Sequence, residues 1–327
     1  MTATRILIVN ANWFGDVLLS TPAIRAVKKQ FPGCYLGCLV PPRCEAVLKH
    51  NPYLDEVIVC PDRFAPRAYG RVIQRLRLHH FDTALFFKPS RTKALLCALA
   101  GIGNRISETP DPRKHRTDHF LSLVGKIGVR PDGREPDFTP SSGSAETWEA
   151  FRRRLGLDGR YAVVHAGGNW PLKRWPPERF TGWVRGFLKE YPGRVVLIGS
   201  ESEKGLLEEV RSGEPRIVSA YGQTDLDTLA WLLKGADLLV SNDSGPIHLA
   251  ASQRTPIIGV FGPTDPALTG PVSAGPVRIV RKDVGCEIPC YFKTCDTRYC
   301  MEWITPEEVL EKTKELMTNV KAQMTNE

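Results

Sequence analysis

The 327-residue sequence has no apolar run long enough to cross a membrane. Its longest, around Ala94–Ile102, falls well short of the ~18–20 residues a span needs. The opening stretch lacks a signal-peptide pattern: Arg5–Val9 is one short apolar run that stops at polar Asn10, with no small-residue cleavage site behind it. There is no Walker loop, no G-x-S-x-G elbow and no H-E-x-x-H. Gly101-x-Gly103-x-x-Ile106 is missing the third glycine of a dinucleotide fingerprint and follows a helical stretch, not a strand. No helix-turn-helix, RNP or zinc-finger pattern accompanies the basic residues, which argues against nucleic acid as a partner. What remains is an ordinary globular composition, 42% hydrophobic and 24% charged. That excludes disorder, collagen and coiled coil as the main state. The length suffices for two cores, and the expected location is the cytoplasm.

The net charge of +8 is unevenly placed. Residues 1–140 hold 21 basic and 12 acidic residues, the rest 23 and 24. The excess is densest between Arg63 and Arg116, where twelve basic residues face three acidic ones. Such a surface either stays solvated or meets an anionic partner, in a groove or at a membrane face. Nine cysteines, an odd number without an export signal, point to reduced thiols. Cys286, Cys290, Cys295 and Cys300 are clustered, with three, four and four residues between them. That spacing permits tetrahedral metal ligation but lacks the C-x-x-C pair of a strong signal. A thiol cluster without metal is the other reading.

Arg5–Val9 reads as a strand, Asn10–Asp16 as a loop, and a helix follows to Gln30, stopped by Phe31-Pro32-Gly33 ahead of a strand at Tyr35–Val40. The template returns later. Tyr161–Val164 is a strand, His165–Pro177 a loop and Glu178–Glu190 a helix, stopped by Tyr191-Pro192-Gly193 before Arg194–Ile198. Two such βαβ starts predict two doubly wound domains of similar size. The polar Thr139–Ser144 stretch reads as the linker, with a helix at Ala145–Leu155 attached. The assignment is an α/β protein with Rossmann-like domains over 1–158 and 159–305, and a last helix, from Pro306 within 306–327, packing back on the first domain.

Ligands of open α/β sheets bind at the loops beyond the strand carboxyl ends. The first such loop carries Gly15, for a tight turn or close approach, and Asp16, which is either an N-cap or a general base for an acceptor hydroxyl. The second is Ser241-Asn242-Asp243-Ser244-Gly245-Pro246-Ile247-His248. Here Pro246 suits the first helical position, the amides of Ser244 and Gly245 with the helix dipole would form an anion site, and His248, in the same first turn, is either structural or part of that site. The third, His165–Pro176, puts a glycine pair at a strand end with Lys173 and Arg174 close behind, where a cation can neutralise a diphosphate. Asp225-Leu226-Asp227 has the look of a metal–diphosphate motif, yet acids are expected where a helix opens.

Trp13-x-Gly15-Asp16-x-x-x-Ser20-Thr21-Pro22, the Lys173-Arg174-Trp175-Pro176 loop, the Asp243-Ser244-Gly245-Pro246-x-His248 block and Phe261-Gly262-Pro263-Thr264-Asp265-Pro266 together resemble the ADP-heptose:lipopolysaccharide heptosyltransferases, glycosyltransferase family 9. The likeness runs through Ile304–Val309, and Trp13 ahead of Gly15-Asp16 leans toward the heptosyltransferase II branch. It implies a GT-B fold, two facing Rossmann-like domains with a central cleft. The implied reaction is an inverting transfer from ADP-L-glycero-D-manno-heptose to an inner-core hydroxyl, without metal or other cofactor. Asp16 would be the base, Lys173 would hold the donor phosphates, and Asp243, Ser244, Gly245 and His248 would form the phosphate-binding helix start. Glu201 or Glu203 would accept ribose hydroxyls, with Thr224 near adenine. Arg63, Lys88, Arg91, Arg105 and Arg116 would grip the anionic lipopolysaccharide core at the cytoplasmic face of the inner membrane, a peripheral contact. The alternatives are another nucleotide-sugar, an epimerase of similar architecture, or a non-catalytic anion-binding protein.

Overall fold

The computed structural model describes residues 5–63, 65–211, 213–292 and 294–324. Contacts divide the chain into two compact units, Met1–Thr139 and Pro140–Glu327.

The first unit runs β1 (Arg5–Val9), α1 (Phe14–Gln30), β2 (Tyr35–Val40), α2 (Glu45–Leu48), β3 (Glu56–Val59), α3 (Pro66–Leu78), β4 (Thr83–Phe86), α4 (Arg91–Leu99), β5 (Asn104–Ser107) and α5 (Arg116–Gly125). Its parallel sheet has the order β3-β2-β1-β4-β5. β1 is central, so both its faces are covered and Ile6, Leu7, Ile8 and Val9 are all buried; the strand reads as an unbroken apolar run for that reason. Leu7 and Val9 pack with Tyr69, Val72 and Leu76 of α3 and with Leu96 and Cys97 of α4. Pro22 sits inside α1 and cannot donate to the Leu18 carbonyl. The Thr21 hydroxyl donates to that carbonyl instead, at 2.7 Å.

The second unit runs α6 (Ser144–Arg154), β6 (Tyr161–His165), α7 (Pro177–Leu188), β7 (Arg194–Leu197), α8 (Lys204–Arg211), β8 (Ile217–Ser219), α9 (Leu226–Lys234), β9 (Leu238–Asn242), α10 (Gly245–Ser252), β10 (Ile257–Phe261), α11 (Pro266–Thr269), β11 (Val277–Arg281), α12 (Tyr299–Glu302) and α13 (Pro306–Met324). Its six parallel strands lie in the order β11-β10-β9-β6-β7-β8. Counted from each unit's first strand, the two sheets have one winding. In both, the chain moves outward to one side, then returns to the other side of the first strand. The reversals fall between β1 and β4 and between β6 and β9.

The division at Thr139 and Pro140 lies at the start of the expected linker, ahead of the boundary at 158 read from sequence. α6 belongs to the second unit because it packs on α9. Trp231 Nε1 donates to Ser144 Oγ at 2.9 Å, and the Asp227 carboxylate accepts from the Ser141 amide and hydroxyl at 3.1 and 2.6 Å. The last helix, expected to pack back on the first domain, is part of the second unit and packs on α7, β10 and β11. There Trp183 Nε1 donates to Thr313 Oγ1 at 3.2 Å, and Trp183, Phe187 and Tyr191 stack in series on α7 and the turn after it. Residues 325–327 lie outside the described residues.

Candidate active site

Each reversal in strand order opens a crevice at the carboxyl edge of a sheet, because the loops on its two sides diverge. In the first unit that crevice lies beside the Asn10–Asp16 loop. The Asn10 side chain donates to Ser20 Oγ at 2.8 Å and accepts from the Ala11 amide at 2.7 Å, which fixes the loop where it leaves β1. Lys93, from the other side of the reversal, reaches across to Asn12 Oδ1 at 3.0 Å and the Asn10 carbonyl at 3.5 Å. Burial pushes its pKa down. Arg43 donates to the Asn12 carbonyl at 2.8 Å and lies over the half-exposed Trp13 ring. The spacing around Lys93 gave no sequence signal; only the strand order brings it here.

Helix α1 starts at Phe14 with Trp13 as its N-cap. Asp16 is therefore not the cap but lies inside the first turn, where the dipole favours a carboxylate. Its Oδ1 is 3.5 Å from Arg116 Nε at the start of α5, and its side chain is a quarter exposed. Of the five cations expected to hold an acceptor, Arg63, Lys88, Arg91 and Arg116 follow the carboxyl ends of β3, β4 and β5. Arg116 faces Asp16 directly. Arg105 departs from the expectation. It sits mid-strand in β5 and donates to the Ile102 carbonyl at 2.5 Å, on the amino-terminal side of the strand.

In the second unit the crevice between β6 and β9 holds the expected phosphate residues. Lys173 Nζ lies 2.6 Å from Asp243 Oδ2, which also accepts from Thr264 Oγ1 at 2.6 Å. Asp243 is buried, while the lysine side chain is 23% exposed and 5.7 Å from the Trp170 ring. So Asp243 anchors the ammonium of a partly exposed lysine. Ser244 is the N-cap of α10, leaving the helix's first amides without intrahelical acceptors. His248 is buried in the same helix. Arg174 does something else. Its guanidinium closes on the Gly168 carbonyl at 2.8 Å, bracing the loop that presents Lys173. Asn242 braces it from β9, donating to the Ala166 and Gly167 carbonyls at 2.7 and 3.1 Å and accepting from the Trp175 amide at 3.0 Å.

The two glutamates expected at the ribose separate clearly. Glu203 turns under the glycine pair, accepting from the Gly168 amide at 2.6 Å and the Ser200 amide at 2.8 Å. A Cβ on Gly167 would collide with its carboxylate, so a side chain there would push Glu203 from its place under the glycine pair. Burial opposes the Glu203 charge, but those amides and His165 hold its pKa below the usual value. Glu201 is exposed, its carboxylate against Gly222 beyond the end of β8, next to Gln223 and half-buried Thr224. Asp225 accepts from the Thr228 amide at 2.8 Å as the N-cap of α9. With Asp227 on Ser141, the Asp-x-Asp pair is engaged by the fold.

His165 ends β6 under this cluster, a role the sequence reading missed. Its Nδ1 is 2.9 Å from Ser244 Oγ and its Nε2 4.0 Å from Glu203 Oε2. Burial lowers its pKa from 6.5 to about 4, against the pull of Glu203. The folded state thus binds fewer protons than the unfolded chain between those values, so stability falls as pH drops from 6.5 towards 4. The full loss amounts to about 3 kcal/mol. Urea unfolding at stepped pH is expected to show this slope, and His165→Gln to flatten it; an unchanged slope in the variant would assign the acid sensitivity elsewhere.

The clustered cysteines lie behind the same loops. All four line one pocket with Leu172, Gly262 and Pro263. The Cys290 amide donates to the Pro263 carbonyl at 2.7 Å, and the Arg298 guanidinium to the Arg174 carbonyl at 2.8 Å. Among the described residues no three His, Cys, Asp or Glu side chains are arranged to hold a metal ion. Backbone donation from Arg298 lowers the Cys295 pKa, whereas burial raises Cys38 and Cys97 to about 12 and Cys44 to about 11. A thiol reagent applied to the native protein is expected to label Cys295 first. Cys34, Cys38, Cys44, Cys60 and Cys97, all buried, are expected to react only on unfolding. Early labelling of the buried five, read by peptide mass, would contradict this.

The sequence profile of glycosyltransferase family 9 (heptosyltransferase) matches residues 126–298. Lipooligosaccharide heptosyltransferase 2 of Haemophilus influenzae is 26% identical, with 95% of this chain and 99% of that protein covered. The solved structure of E. coli ADP-heptose lps heptosyltransferase II has a TM-score of 0.80 at 22% identity, covering 97% of this chain and 99% of that one. A glycosyl transferase family 9 structure from Veillonella parvula reaches a TM-score of 0.83 at 20% identity, covering 98% of both. Two parallel α/β sheets in one chain and these likenesses give the fold as GT-B. The chain belongs to glycosyltransferase family 9, the heptosyltransferases.

Proposed function

We propose that this glycosyltransferase moves heptose from ADP-heptose to a hydroxyl of the lipopolysaccharide inner core, with inversion and without a metal. The observation that carries the donor side is the Lys173–Asp243–Thr264 cluster beside the α10 N-terminus. A fixed cation and a helix start are aimed where negative charge collects on a departing diphosphate. Family membership and the name of the E. coli relative support ADP-heptose as donor and lipopolysaccharide as acceptor.

In this reading Asp16 takes the proton from the acceptor hydroxyl. The oxygen attacks the anomeric carbon from the face opposite the nucleotide, and the bond to the β-phosphate oxygen breaks as ADP leaves. Lys173 and the α10 amides take up the charge of that oxygen. Arg116 orients Asp16, with Arg63, Lys88 and Arg91 left to meet acidic groups of the acceptor. Glu201, exposed and held only by Lys204 at 3.9 Å among the described residues, is the glutamate left to meet ribose hydroxyls, with Thr224 towards the base. Metal independence is supported by Asp225 and Asp227 being held by the fold.

The test supplies purified protein with ADP-heptose and heptose-deficient core, and follows ADP release and the anomeric configuration of the product. ADP formation that survives a chelator, with inverted product, is the expected result. No ADP from folded protein would favour another nucleotide-sugar or a purely anion-binding role; loss of activity with chelator would overturn the metal-free step.

A further inference from the structure

The clustered cysteines take no part in the proposed transfer, yet all four line one pocket with Leu172, Gly262 and Pro263, neighbours in the chain of Lys173 and Thr264. We propose that Cys295 and Cys300 are a peroxide-sensitive thiol pair, a modification site at which Cys295 is oxidised first and Cys300 closes the disulfide. The two sulfurs have different surroundings. Cys295 is exposed, and its Sγ accepts from the Arg298 amide at 3.4 Å and lies 3.9 Å from Thr297 Oγ1. Those donors stabilise a thiolate and hold its pKa below the usual value. Cys300 is half-buried, and a Cβ on Gly262 would stand 3.2 Å from its sulfur.

The local turn brings the pair together. The bond to the Arg298 amide folds the Cys295 sulfur back onto the start of α12, and Cys300 is the second residue of that helix. Burial raises the Cys300 pKa, and the neighbouring thiols add to it, Cys295 ahead of Cys286 and Cys290. Charge repulsion weakens with distance, so Cys295 is the thiol whose charge Cys300 feels most. An exposed thiol of lowered pKa beside a sheltered, less acidic one is the arrangement of a redox-sensing pair.

Hydrogen peroxide is the oxidant. The Cys295 thiolate attacks one peroxide oxygen, the O–O bond breaks, and the departing hydroxide takes a proton to become water. Cys295 is then a sulfenic acid. The Cys300 sulfur attacks the sulfenic sulfur, the S–S bond forms and the S–O bond breaks, and the hydroxyl leaves as water with the Cys300 proton. Two thiols lose two electrons together, and one peroxide is reduced to two waters.

The pair is tied to the donor loops. Arg298 lies between the two cysteines in the chain, and its guanidinium donates to the Arg174 carbonyl at 2.8 Å, next to Lys173. A ring closed through Arg298 draws it away from that carbonyl and loosens the loop that holds the lysine. Disulfide formation is read without any substrate; its effect on transfer rests on the proposed function.

The experiment treats the whole protein with hydrogen peroxide, counts free thiols after denaturation and maps the new bond by peptide mass. Two of the nine thiols are expected to disappear into a Cys295–Cys300 disulfide, and dithiothreitol to restore them. Cys300→Ser is expected to leave a sulfenic acid on Cys295 that dimedone traps, and Cys295→Ser to form no disulfide. The double variant Cys286→Ser, Cys290→Ser is expected to form the bond like wild type. Far-UV CD and ADP affinity of the reduced variants should match wild type, whereas oxidised wild type is expected to bind ADP about fivefold or more weakly. The pair is overturned if all nine thiols survive peroxide, if the bond joins other cysteines, or if the protein as purified carries zinc or iron held by these thiols. Equal ADP affinity in the two forms would overturn the tie to the donor loops. A wild type that forms the disulfide but releases no ADP from ADP-heptose would count against the proposed function alone.

Discussion

Replacing Asp16 with Asn is expected to lower turnover by about 10³-fold while leaving ADP affinity within about twofold, since removing a general base typically costs ~10²–10⁴. A thousandfold loss is about 4 kcal/mol in the barrier. The fold loses far less. The Asp16–Arg116 contact is 3.5 Å long between side chains 25% and 35% exposed, and such pairs contribute about 0–1 kcal/mol. The effect therefore shows in kinetics and not in melting temperature. Steady-state rates with saturating donor, together with calorimetric ADP titration, make the comparison. Retained turnover would remove Asp16 from the mechanism; lost ADP binding would make it a donor residue.

The second large effect is expected at Lys173. Lys173→Met removes the cation held at Asp243 and is expected to cut kcat/KM for the nucleotide-sugar by about 10²–10³-fold, the usual loss for one group stabilising developing charge. It also leaves the buried Asp243 carboxylate with Thr264 but no cation, an uncompensated charge that destabilises. The two losses separate in a double variant. Lys173→Met with Asp243→Asn is expected to regain stability, because no buried charge is left, yet stay slow, because no cation meets the leaving group. If the double variant recovered activity along with stability, Lys173 would be a structural partner of Asp243 and nothing more.

Asp16 is legible in the sequence for a local reason. A strand, a short glycine-bearing loop and an acidic residue entering a helix lie within twelve positions at Arg5–Asp16, so pattern and spacing locate Asp16. Ser244, Gly245 and Pro246 carry their own geometry in the same way, as N-cap, turn and helix start. Lys173 and Arg174, adjacent in the chain, were not distinguishable on that basis. The first reaches Asp243 seventy residues away, while the second folds back on the Gly168 carbonyl. Glu201 and Glu203 pose the same problem. Two residues apart in one turn, they differ only because Glu203 points under Gly167, where a side chain would collide, and Glu201 does not.

By itself the sequence determined the first two strands of each unit, the helix stops between them, the paired βαβ starts and the identity of the chemistry-bearing loops, because apolar periodicity, glycine and proline act over a few residues. Tertiary structure decided the rest. Strand order placed the two reversals, brought Lys93 across to Asn12 and Thr264 onto Asp243, and put α6 and α13 in the second unit. It also turned Arg105 away from the acceptor end and engaged Asp225 and Asp227 in caps and loop contacts. These outcomes depend on which strands lie side by side, and that is settled by packing between segments far apart in the chain, beyond the reach of any local pattern.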